Sequence, residues 1–224
     1  MGIFDALREF ANEDANKVQT AAKAALDVLV TLGESKAEFF ELKIQNDLRT
    51  AGTKENATVP IESIVQTYSK VFASASSGGS AAKSVIDGVL NMISPGADDT
   101  KKADVSTFLS SVVDSFLGKS CASELNESRY IVYEENYAII RLDYHLWRRS
   151  IKGSGLLKEE VEDITVMTFC KSCVDVNHIG LNTFLALYQH QIALADAADG
   201  KKDGGKIPMR EIESLKQILN FFKS

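Results

Sequence analysis

Residues 129–151 read RYIVYEENYAIIRLDYHLWRRSI, and their reading sets the class of the whole chain. Tyr130, Tyr133, Tyr137, Ile140, Tyr144, Trp147 and Ile151 recur at alternating steps of three and four residues. That spacing writes one face of an α-helix. The seam holds four of the six tyrosines and the only tryptophan. Val132, Ala138, Ile139, Leu142 and Leu146 add a second apolar flank. A helix apolar on two sides is one with neighbours packed around it. The stretch therefore predicts a central, aromatic-rich helix over about 127–151.

The flanking chain supports the same class. Val18, Ala22, Ala25, Leu29, Leu32 and Phe39 form a heptad-like seam in a first helical region over 12–47, which Gly33 can bend. After the turn-forming loop 50–59, Pro60 stands at a first helical position, and Ile61, Ile64, Val65, Tyr68 and Phe72 mark the next helical face. Leu157, Val161, Ile164 and Thr168 predict a further helix to Cys173. Leu181, Phe184, Tyr188, Ile192 and Ala195 predict another, and Ile212, Leu215, Leu219 and Phe222 the last. With three prolines in 224 residues and no convincing two-residue alternation, the expected fold is all-α. It is a single domain, 1–224, built as a bundle of about seven or eight helices.

Composition narrows the function classes. A formal charge of −6 argues against a nucleic-acid partner, since phosphates call for a basic surface. Three cysteines, Cys121, Cys170 and Cys173, make no disulfide framework. The N-terminus MGIFDALREF lacks the basic-then-apolar order of a signal peptide, and Ala6 stands where a myristoylation motif has Ser or Thr. Nor does any run of apolar residues reach the eighteen that mark a spanning helix. The expected place is the cytoplasm, or outside the cell by release without a cleaved signal.

Segment 71–118 carries the sharpest functional lead, a low-charge helical hairpin: between Val71 and Ile93 only Lys83 and Asp87 are charged. Its apolar arms offer Val85, Ile86, Val89, Leu90, Ile93, Val105, Phe108, Leu109, Val112 and Phe116 as membrane-contacting residues, with Gly78, Gly79 and Gly88 as hinges. In composition and layout it resembles the sequestered hairpin of helical pore-forming toxins, with no family motif behind the likeness. Each arm spans about 20–24 Å against a bilayer core of about 30 Å. The competing reading makes 85–117 a buried pair of the core.

Other candidates are weaker. DGKKDGGKIPMRE, 199–211, resembles a degraded EF-hand calcium loop, with Asp199, Asp203 and Glu211 as ligands but few carboxylates where calcium needs them. Cys170 and Cys173 form C-x-x-C, with His178 and His190 beyond, short of a zinc pattern. On a helix they share one face as small apolar side chains. His145, between Asp143 and Arg148 in the neighbourhood, is a lone acid–base candidate. No P-loop, G-x-S-x-G, H-E-x-x-H or dinucleotide fingerprint is present. The expectation is a protein that acts by contact and not by catalysis. Its partner is membrane lipid, another protein or a second copy, with calcium as the one candidate cofactor. Alternative readings are an interaction or ligand-binding protein of the cytosol and a calcium-responsive one.

Overall fold

The computed structural model describes residues 15–74, 79–91, 99–119, 124–135, 138–150, 163–187 and 209–223. It overturns the all-α bundle. The chain runs α1 (Ala15–Arg49), β1 (Ile61–Ser74), α2 (Gly79–Leu90), α3 (Asp99–Gly118), β2 (Glu124–Glu135), β3 (Ala138–Ser150), β4 (Asp163–Val174), a 3-10 turn (Val176–His178), helical residues 181–187, and α4 (Met209–Phe222). The four strands form one antiparallel sheet in the order β1-β4-β3-β2.

The aromatic stretch is a β-hairpin. Tyr130 lies opposite Asp143, Tyr133 opposite Ile140 and Glu135 opposite Ala138. The apparent helical seam is thereby split between two faces, because side chains alternate along a strand. Ile140, Leu142, Tyr144 and Leu146 join Ile131, Tyr133, Met167 and Phe169 in one cluster, while Trp147 packs with Ala37 and Phe40 in another. Both faces are covered, so both sets of side chains are large, and a strand buried on two sides loses its polar–apolar alternation. The helices expected after Pro60 and up to Cys173 are β1 and β4; β4 is buried on both faces for the same reason, whereas β1 is a largely exposed edge strand.

The order of strands explains the layers. β1 and β2 are consecutive strands yet lie at opposite edges of the sheet. The chain between them crosses the whole sheet, and α2 with α3 makes that crossing, covering one face with Val85, Val89, Val105, Leu109, Val113 and Phe116. Val71–Ser74, counted above with the hairpin, belong to β1. α1 covers the other face: Phe40 and Ala37 lie over Trp147, Ile164 and Val166, and Ile44 and Leu48 over Cys170. Gly33 does not interrupt α1. A Cβ there would stand 2.5 Å from Val71 Cγ1, so glycine lets the helix sit close on the sheet. At the far end of that face, Val132, Ile139 and Val174 meet Val59, Ile179, Phe184 and Leu219.

Candidate ligand cleft

Between those two apolar regions of the α1-covered face lies a polar band. It comprises Ser128 and Tyr130 of β2 and Arg141, Asp143 and His145 of β3, which the register places side by side: Ser128 opposite His145, Tyr130 opposite Asp143. Above them, the end of α1 and the loop 50–59 complete a cleft of about 500 Å³, lined also by Ile44, Asp47, Thr50, Glu55, Asn56, Thr58 and Arg129. That volume is in the range of small-molecule sites, about 300–1,000 Å³.

The loop is built to hold its shape. Gly52 has φ +82°, a left-handed conformation that suits glycine, and its N–H donates to the Asn56 carbonyl at 2.9 Å. Asn56 Nδ2 donates to the Asp47 carbonyl at 2.7 Å, closing the end of α1, and Thr58 Oγ1 donates to Asn56 Oδ1 at 3.0 Å.

On the floor, Arg141 holds Asp143 in a two-point pair, Nε to Oδ2 at 2.8 Å and Nη2 to Oδ1 at 2.7 Å. Its Nη1 donates to the Val59 carbonyl at 2.6 Å and to Thr58 Oγ1 at 3.1 Å, and the Tyr130 ring lies 4.0 Å from its central carbon. Burial pushes the Asp143 carboxyl up, against the pull of Arg141. The pair is anchored on all sides.

His145 is different. Its ring stacks on Phe40 of α1, centroids 5.2 Å apart and planes 13° from parallel, and it is 3% exposed. One ring nitrogen, Nε2, meets Ser128 Oγ at 3.0 Å, while the buried Nδ1 has no hydrogen-bond partner among the described residues. Burial pulls its pKa down to about 4, helped by Lys43 and opposed by Asp47. The imidazole is therefore neutral at pH 7, with one polar atom unsatisfied.

The other sequence candidates fall elsewhere. Val85, Val89, Val105, Leu109 and Phe116 are buried against the sheet, and Ile86, Leu90, Phe108 and Val112 pack partly buried around them. Gly79 opens α2, and Gly88 lies within it where Tyr68 occupies the space a Cβ would need. Ile93, Gly78, Asp199 and Asp203 lie outside the described residues, as do Tyr137, Ile151, His190 and Cys121. Glu211 falls near the start of α4, its side chain outside the description.

Cys170 and Cys173 are on a strand, not a helix, so residues three apart point to opposite faces. Cys170 sits under Ile44 and Leu48, Cys173 against the α2–α3 side, and both are free thiols. His178 pairs with Asp175 at 2.6 Å on the surface. Among the described residues no group of three or more His, Cys, Asp or Glu side chains is placed to hold a metal ion.

Sequence reasoning weighed His145 only as a lone acid–base candidate on a helix surface and did not single out Arg141. The signal was the alternation Arg141, Asp143, His145, Trp147 against Ile140, Leu142, Tyr144, Leu146. Among the described residues no helix is long and apolar enough to cross a membrane. No family model, no curated protein and no solved structure matches the chain.

Proposed function

We propose that this is a non-enzymatic binding protein that holds a small polar ligand in the cleft over β2 and β3. The observation that carries the reading is His145 Nδ1, a polar atom buried on a cleft-lining residue without a partner. Such an atom costs about 1–3 kcal/mol, a cost that a donor or acceptor removes once ligand entry uncovers the atom. Binding is favoured over catalysis because the charged groups are committed to each other. Asp143 is held at both oxygens, and an imidazole with a pKa of about 4 is a weak base at neutral pH.

The test is a thermal-shift screen of small polar metabolites, repeated on Thr50→Trp, which narrows the mouth, and Ser128→Ala, which frees Nε2. A ligand at 100 times its Kd stabilises by about 2.7 kcal/mol. The expected result is a stabilising compound whose effect shrinks in both variants. Hits indifferent to both substitutions would sink the reading.

The α2–α3 layer supports a second reading, in which membrane lipid is the partner. Its favouring observation is that the described apolar residues of both arms form one continuous layer over one face. Against it stands the cost. Uncovering six buried side chains, Val85, Val89, Val105, Leu109, Val113 and Phe116, costs on the order of 10 kcal/mol, comparable to the whole stability of a domain. A calcium response through 199–211 is the third reading. Its test is a rise in melting temperature with calcium that Glu211→Gln abolishes, and no rise at millimolar calcium removes it.

A further inference from the structure

At 35 residues, α1 is about three times the length of an average helix. One face is buried, through Ala37, Phe40, Ile44 and Leu48. The diametrically opposite face is also apolar: Val28, Phe39 and Leu42 are 48%, 54% and 65% exposed. Val28, Leu32, Ser35, Phe39 and Leu42 follow one another at steps of four, three, four and three, the pattern of a coiled-coil seam, and Asn46 continues it one step further. Leu32 is shared with the cluster below, being half-buried against it.

Beside the seam, Glu38 stands on one flank and Lys36 and Lys43 on the other, while Glu41 lies further round the helix and accepts a hydrogen bond from Ser69 of β1 at 2.6 Å. Two such helices side by side in parallel bring the acidic flank of each against the basic flank of its partner. Glu38 then meets the partner's Lys43, five residues further along, the offset at which flanking positions of parallel coiled coils pair. An antiparallel pair sets acidic flank against acidic flank. Glu38 has no ion-pair partner among the described residues, and Lys43 holds Asp47 at 2.8 Å in an exposed pair of the kind worth little by itself.

We infer that the outer face of α1 is the interface of a parallel two-fold homodimer, seamed by Val28, Leu32, Ser35, Phe39 and Leu42 and registered by Glu38–Lys43 pairs. The inference uses none of the observations behind the ligand reading, although Lys43 borders the cleft through its pair with Asp47.

The experiment is light scattering and sedimentation of the full chain over a wide concentration range. The expected result is a dimer that Leu42→Glu turns into a monomer without loss of helicity or melting cooperativity, since Leu42 is exposed. Glu38→Lys and Lys43→Glu each weaken the dimer several-fold, and mixing the two variants gives the heterodimer in preference to either homodimer. Ser35→Cys, at the seam, closes a disulfide across the axis on oxidation. A wild type monomeric throughout, a dimer that survives Leu42→Glu, or mixed variants with no preference overturns the inference. So does a monomer whose liposome binding Leu42→Glu abolishes, which gives the stripe to lipid.

Discussion

The two faces of the sheet each bury an ion pair, and they use it differently. Under α2 and α3, Lys171 Nζ and Glu135 Oε2 meet at 2.8 Å, both nearly inaccessible, with the Tyr133 hydroxyl donating to the same carboxylate at 3.4 Å. Burial, and then the neighbouring charge of Glu135, hold that phenol far above its usual titration range. Around this pair the face is a continuous apolar cluster from Val85 to Phe116. Under α1 the apolar cover stops at His145 and resumes at Ile139, and the Arg141–Asp143 pair lies in the gap, on the floor of a cleft. One face is closed by packing and the other leaves a polar opening. On the proposed function, the first face serves stability and the second ligand contact.

The largest effect that can break this contrast is removal of one charge. Asp143→Ala leaves the Arg141 guanidinium buried and is expected to cost about 3–5 kcal/mol in chemical denaturation. Arg141→Met combined with Asp143→Val is expected to recover most of that loss. If the single and double variants are equally unstable, the pair is not the isolated element described. On the closed face, Leu109→Ala is expected to cost about 2–5 kcal/mol through the cavity it leaves. A loss well below 1 kcal/mol would mean that α3 is not packed on the sheet.

Next in size is the pH dependence of the open face. In the unfolded chain the His145 imidazole binds its proton near pH 6.5, about the usual value. In the fold it does so only at about 4. Between these values the unfolded state carries the extra proton, so stability is full above about 6.5 and falls as the pH drops to about 4, by about 3 kcal/mol. His145→Gln is expected to remove that part of the slope, and an unchanged slope in the variant would assign it elsewhere. The smallest expected effect concerns lipid. A disulfide pinning α3 to the sheet is expected to suppress any leakage of liposomes, and leakage unaffected by the lock rules out departure of the α2–α3 layer.

Part of this was legible in the residues. The seam through Leu29 and Leu32 announced α1, and the segment 71–118 announced the two helices α2 and α3, each with a single buried face, although its first four residues belong to β1. Strands β2 and β3 were not legible as strands. β3 is covered on both sides and β2 over its second half, and the tyrosines of β2 happen to continue into β3 the three-and-four spacing of its residues. The site was hidden for a related reason. Arg141 and Asp143 look like the solvated flank of a helix, and only strand pairing turns them inward, where Val59 and Thr58 from a distant loop receive the guanidinium. Contacts of that sequence separation leave no trace in local periodicity.

The central claim, that the open face presents a neutral, incompletely bonded histidine to a ligand, is tested most directly by ¹H–¹⁵N correlation of the histidine rings across pH. The expected result is a His145 ring that stays neutral well below pH 6, with an Nδ1 resonance displaced by the same compounds that raise the melting temperature. A His145 ring that titrates near 6.5, or an Nδ1 resonance that no stabilising compound moves, would contradict it.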